Sequence, residues 1–150
     1  ADAGGCTSYR SNADAYGREL AALDQRIHAT VASLPADRRT VITSHDAFGY
    51  FQRDYGITFL APEGVSTAAE ASAADVAALI RQIRQDKAAA LFVENVSDPR
   101  LVQQIAREAG AKIGGKLYSD ALSPPNGPAP TYVRMMEYNV ESLKKALDGS

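Results

Sequence analysis

The apolar positions near the start of the chain recur every three or four residues. They are Tyr9, Ala13, Tyr16, Leu20, Leu23, Ile27, Val31 and Leu34. This spacing places them on one face of a helix, and Pro35 ends the pattern. A helix of roughly 26 residues is about 39 Å long, which exceeds the usual span of one small domain. The pattern therefore predicts a long backbone helix over residues 9–35, after a Gly-rich segment 1–8 that we expect to be disordered or left by cloning.

Beyond Pro35, short apolar runs alternate with amphipathic stretches. The runs predict strands at 40–44, 57–61, 89–93 and 112–119, the last weakened by two adjacent glycines. Helical patterns lie between the strands and after the last one. Such alternation is typical of parallel strands joined by crossover helices. The sequence predicts an α/β fold for residues 36–150: a four-stranded, mainly parallel open sheet with helices on both faces.

Composition and charge narrow the function classes. The chain has 150 residues, 45% of them hydrophobic, which suits a globular domain with a substantial core. Sixteen basic and 18 acidic residues give a net charge of −2, so we expect no nucleic-acid partner. The chain has no run of about 18 apolar residues, so the sequence predicts no membrane-spanning helix. The lone Cys6 cannot form an internal disulfide, and we expect no catalytic role for it.

Polar side chains follow all four predicted strands. They are His45, Glu63, Glu94 and Asp120. The carboxyl ends of parallel strands meet at one edge of a sheet, where ligands collect. An imidazole with carboxylates at that edge suits a divalent metal site. A plain hydrogen-bonding role for His45, and an ion pair of Glu94 with Arg100 or Lys116, remain open on these residues alone.

Two other kinds of site find little support. Ser44 and His45 are adjacent on an extended segment and point to opposite faces, so they do not suit a hydrolytic pair. No nucleophile elbow and no glycine-rich phosphate loop occurs. His28 falls beside the apolar stripe of the first helix, where we expect it to be solvated. An enzyme using metal-bound water has Glu94 as its single candidate base.

Four segments together resemble a known family. They are 41–51 (VITSHDAFGYF) with Tyr55-Gly56, 70–72 with its amphipathic helix, 91–94 with 105–110, and 116–123 with 131–132 and 136–139. In this order they are similar to the zinc/manganese solute-binding proteins of bacterial ABC transporters. The resemblance covers nearly everything from Tyr9 to Leu147.

The resemblance implies two lobes joined by one long helix, with the metal between them. This chain then corresponds to the C-terminal lobe with the linking helix, and the N-terminal lobe with its two histidine ligands lies outside these residues. By position, the third family ligand falls on His45 and the fourth on Asp120. Glu94 matches an acidic residue that is not usually a ligand, which implies a supporting role behind the ligands.

The resemblance also implies a function. The protein would capture metal as a periplasmic protein or extracytoplasmic lipoprotein, pass it to an ABC permease of the inner membrane, and have no enzymatic activity. His45 stands where manganese-selective relatives often carry glutamate. A histidine at this position favours Zn²⁺, with Mn²⁺ as the alternative. Since a ligating imidazole must be neutral, we expect zinc affinity to fall as pH drops through about 6.5.

Other interpretations stay open beside this one. The chain is alternatively a manganese-binding member of the family, or a cell-adhesion or interaction module with incidental metal binding. With two ligands, the isolated lobe should bind zinc weakly, because water fills about half of the tetrahedron. Apolar surface near residues 9–22 would lack its partner lobe, so we expect the isolated chain to self-associate.

Overall fold

A long helix precedes four strands that alternate with shorter helices. The computed structural model describes residues 2, 4–62, 72–86 and 88–148. The helices are α1 (Cys6–Ala32), α2 (Gly49–Tyr55), α3 (Ala73–Asp86), α4 (Pro99–Ala109) and α5 (Tyr132–Leu147), with a 3₁₀ turn at Ala36–Arg38. The strands are β1 (Thr40–Ile42), β2 (Thr58–Leu60), β3 (Ala90–Glu94) and β4 (Ile113–Leu117).

The four strands form one parallel sheet in the order β2-β1-β3-β4. Val41 of β1 is paired with Phe59 on one side and Ala90 on the other. β3 therefore lies between β1 and β4, so its end is next to the ends of both. The predicted open parallel sheet is confirmed.

Alternate residues of each strand serve two separate cores. Val41 and Phe92 face a core built with α1, α2 and α5. Ile42 and Leu91 face a second core built with α3 and α4. Because neighbouring strand residues point to opposite faces, the continuous apolar runs are buried on both sides. The prediction of helices on both faces is confirmed.

Helix α1 is as long as the pattern predicts, but it begins and ends earlier. It starts at Cys6, so residues 6–8 are helical and not part of a disordered terminus. Asp2 supports this start, because its carboxylate accepts hydrogen bonds from Gly5 N (3.1 Å) and the Tyr9 hydroxyl (2.8 Å). The helix ends at Ala32, and the Ser33 hydroxyl that follows donates to Thr30 O at 2.7 Å.

Only the second half of α1 packs into the core. Leu23, Ile27 and Val31 are buried, whereas Tyr9 and Tyr16 are exposed. The helix thus continues well beyond the core that it helps to build. No helix of the described residues combines the length and apolar character that crossing a bilayer requires.

The glycines of β4 allow close packing. A Cβ atom at Gly114 would lie 2.8 Å from the Phe92 ring and 2.8 Å from the Ala146 methyl group. Gly115 has a φ of 145°, beside a register shift between β3 and β4. Gly114 lets α5 lie against the strand, which is a role beyond the weakening that the sequence predicts.

Candidate metal centre

His45 lies in a buried segment just after β1. The chain there continues the sheet, with Thr43 N donating to Leu60 O at 2.9 Å. The Thr43 hydroxyl donates to His45 O at 3.1 Å, and Ala47 N donates to the same oxygen at 3.0 Å. This turn separates β1 from α2, which begins at Gly49. It leaves the His45 side chain 1% exposed.

Glu94 holds His45 from behind. Its Oε1 atom accepts hydrogen bonds from Ser44 N (2.8 Å) and His45 N (3.0 Å). Its Oε2 atom lies 2.9 Å from His45 Nδ1, a polar contact outside hydrogen-bond alignment. The Glu94 side chain is fully buried, and its one carboxylate bonds to the backbone and contacts the ring. The ion pair with Arg100 considered from the sequence does not form, because Arg100 pairs with Asp98.

Asp120 meets the other side of the imidazole. Its Oδ2 atom lies 2.9 Å from His45 Nε2, and its side chain is 63% exposed. The structure therefore brings His45, Glu94 and Asp120 into one row, with the ring between two carboxylates. Glu63, the fourth strand-end residue, lies outside the described residues. His28 is not part of this row. Its exposed ring contacts Asp24 and Tyr55 instead.

The contact between His45 and Asp120 opens onto a surface pocket. The pocket has a volume of about 420 Å³ and is lined by His45, Asp46, Ala47, Gly49, Tyr50, Arg53 and Asp120. Within the described part of the chain, no three His, Cys, Asp or Glu side chains converge as a metal cluster. His45 and Asp120 thus face an open side of the molecule.

The spacing of these donors is close to what zinc requires. With metal–ligand bonds of about 2.0–2.1 Å and tetrahedral angles, two donors lie about 3.3 Å apart. The observed separation is 2.9 Å. A small outward movement of the exposed Asp120 side chain would admit an ion. The carboxylate behind Nδ1 resembles the usual arrangement in which an acidic group orients a metal-ligating histidine.

Two asparagines shape the Asp120 loop, and sequence reasoning assigned neither of them a role. Asn139 accepts from Tyr118 N (2.9 Å) and donates to Tyr118 O (2.7 Å). Asn95 accepts from Ser119 N (3.2 Å) and donates to Ala121 O (3.0 Å). A side-chain amide can satisfy a backbone donor and a backbone acceptor together. The position of each residue was the signal that could have indicated its role. Asn95 directly follows the end of β3, and Asn139 lies on the apolar face of α5.

A hydrogen bond joins α1 to α2. The Tyr55 hydroxyl donates to Asp24 Oδ1 at 2.8 Å. The pKa of Tyr55 lies well above its ordinary value. Partial burial is the larger cause, and this hydrogen bond to a carboxylate is the second. The two helices are thereby tied beside the aromatic cluster of Phe51 and Tyr55.

Comparison with known proteins identifies relatives along almost the whole chain. The family model described as zinc-uptake complex component A, periplasmic (ZnuA), matches residues 1–146. The zinc-binding protein TroA of Treponema pallidum is 41% identical over 138 residues, covering 89% of this chain and 45% of TroA. The manganese-binding lipoprotein MntA of Bacillus subtilis is 32% identical over 145 residues, covering 93% of this chain and 47% of MntA.

The fold is also found among solved structures. The structure of the periplasmic zinc-binding protein TroA from Treponema pallidum matches with a TM-score of 0.92 and 37% identity. The match covers 96% of this chain and 54% of that one. The chain therefore spans about half the length of the relatives that it matches.

Proposed function

Because this chain belongs to the family of the periplasmic component A of zinc-uptake complexes, we propose that it is part of the metal-binding component of a bacterial ABC importer. The observation that carries the proposal is the approach of His45 Nε2 to Asp120 Oδ2 at an open pocket. In this proposal both atoms bind the transported ion, and Glu94 orients the imidazole.

The domain organisation follows from the length of the match. We assign residues 9–35 to a linking helix and residues 36–150 to the C-terminal lobe. An N-terminal lobe would supply the remaining ligands and close over the two donors. The exposed first half of α1 supports this assignment, because a helix that leaves its own core can reach a second one.

Zinc is the ion that the donors of this chain favour. One imidazole nitrogen and one carboxylate oxygen form a set that Zn²⁺ binds more strongly than Mn²⁺ in the general stability order. TroA is named for zinc and MntA for manganese. Manganese is therefore the second candidate.

The cellular role follows from the same family. The protein would work outside the cytoplasmic membrane, as a periplasmic protein or a lipoprotein, and deliver its ion to a membrane permease. The relatives are named as periplasmic and lipoprotein binding components. The function is capture and release of an ion, so we propose no catalytic reaction.

Nitrogen NMR of the histidine rings during ZnCl₂ titration tests this proposal. The chain has two histidines, so the exposed His28 is an internal control. We expect the His45 Nε2 resonance to shift on zinc addition, with weak affinity because two protein ligands are present. An unchanged His45 ring, or unchanged zinc affinity in His45→Ala, would overturn the proposal.

A further inference from the structure

The end of β3 contacts the segments that carry both proposed metal donors. β3 is the neighbour of β1 and of β4 in the sheet. Its last residue, Glu94, bonds to the segment after β1, at Ser44 and His45. The next residue, Asn95, bonds to the loop after β4. The dipeptide Glu94-Asn95 therefore contacts the chain on both sides of β3.

The Asn95 side chain bonds to both residues that flank Asp120 in the sequence. Its side-chain oxygen accepts from Ser119 N, and its side-chain nitrogen donates to Ala121 O. Its own backbone N donates to Leu117 O at 3.1 Å, which continues the ladder between β3 and β4. The two residues that flank Asp120 are thus bonded to one side-chain amide, that of the residue directly after β3.

The Asp120 side chain has little else to hold it. It is 63% exposed, and among the described residues its carboxylate has His45 Nε2 as its hydrogen-bond partner. Ordering a free loop residue costs backbone conformational entropy. A loop already bonded on both flanks has less freedom to lose when the carboxylate binds an ion.

We propose that Asn95 is a positioning residue for metal binding, which acts by fixing the loop that presents Asp120. The proposal rests on the proposed function of His45 and Asp120. In this proposal the two adjacent residues each position one donor. Glu94 orients the histidine donor, and Asn95 fixes the position of the carboxylate donor. An amide is required, since the site needs an acceptor for Ser119 N and a donor for Ala121 O.

Two variants of Asn95 test the proposal in the 150-residue chain. Asn95→Ala removes both hydrogen bonds, and Asn95→Asp keeps the volume but places an acceptor against Ala121 O. ZnCl₂ titration followed by the His45 ring resonances should show about a 10-fold loss of affinity in each. Gln52→Ala is the matched control, because it removes an amide that accepts from Phe59 N, away from the pocket. We expect it to bind zinc as the wild type does.

A double-mutant cycle separates positioning from a general effect on the fold. In the Asp120→Ala background, Asn95→Ala should leave the remaining zinc response of His45 unchanged, because Asn95 acts through Asp120. An equal loss in both backgrounds, or wild-type affinity in the single Asn95 variants, would overturn the inference alone. Absence of any His45 response in the wild-type chain would instead overturn the proposed function, and this inference with it.

Discussion

The Nε2 atom of His45 lies 2.9 Å from the Oδ2 atom of Asp120, although 75 residues separate them in the sequence. The two proposed metal donors are therefore in direct contact with each other. An ion that enters between them replaces an existing polar contact, so binding must compensate for the loss of that contact. The buried histidine is fixed, and the exposed carboxylate is the partner that can move.

The first prediction concerns the charge of that carboxylate. Asp120→Asn keeps the shape of the side chain but replaces an anionic oxygen by an amide, so zinc affinity should fall at least about 10-fold. Calorimetric titration with ZnCl₂ measures the change. Asp46→Asn is the matched control, because Asp46 is exposed and lines the same pocket. Equal losses in both variants would show that general pocket charge matters, not ligation by Asp120.

The second prediction concerns the residue behind the histidine. In Glu94→Gln, an amide can place an N–H group against Nδ1 of His45, where the wild type has a carboxylate oxygen at 2.9 Å. That arrangement favours the ring proton on Nε2, the atom proposed to bind the metal. Zinc affinity should fall about 10-fold to 100-fold while the backbone bonds from Ser44 and His45 keep an acceptor. Retained affinity would contradict the orienting role of Glu94.

The sequence predicts the fold well because strand and helix leave different periodic signals. Val41-Ile42 and Leu91-Phe92 are continuous apolar pairs, and each pair divides between the two cores. The proximity of His45 and Asp120 was predictable for a related reason, since parallel strands bring His45 and the loop of Asp120 to one edge. The contacts that Glu94 and Asn95 make with these two segments were not predictable in the same way.

The direction and reach of individual side chains depend on tertiary packing. Glu94 was a candidate for ion pairs with nearby basic residues, yet its partners are the backbone and ring of His45. The role of Asn95 depends on a loop that begins more than 20 residues later. The start of α1 at Cys6 depends on a local bond of Asp2 that periodicity does not report.

The third prediction concerns packing of α5 on the sheet. Gly114→Ala places a methyl group 2.8 Å from both Phe92 and Ala146, so one of them must move. Such overpacking typically costs about 1–3 kcal/mol. Gly49→Ala is the matched control, because a Cβ at that helical position meets nothing within 4 Å. Chemical denaturation should show Gly114→Ala destabilised and Gly49→Ala unchanged or slightly stabilised.

The fourth prediction concerns alkaline pH. The pKa of Tyr55 is raised by burial and by its hydrogen bond to Asp24, so the folded chain keeps this proton where an unfolded tyrosine loses it. The resulting stabilisation is complete below about pH 10, the ordinary tyrosine pKa, and is lost as pH rises through the higher folded value. The stability of the wild type should therefore fall more steeply above pH 10 than that of Tyr55→Phe.

Tyrosinate absorbance gives an independent check. The chain has seven tyrosines. If Tyr55 stays protonated, the increase in absorbance near its ordinary pKa should be the same for wild type and Tyr55→Phe. A smaller increase in the variant over that range would show that Tyr55 ionises like a free tyrosine.

The last prediction concerns the exposed half of α1. Tyr9 and Tyr16 are seven residues apart, which puts two exposed aromatic rings on one face of the helix. Burial of such a face between two copies is favourable, so the 150-residue chain should self-associate as its concentration rises. Sedimentation velocity should show this, and the Tyr9→Ser/Tyr16→Ser variant should remain monomeric. Tyr50→Ser is the control, because Tyr50 is also exposed but lies on α2. A monomeric wild type at high concentration would contradict the prediction.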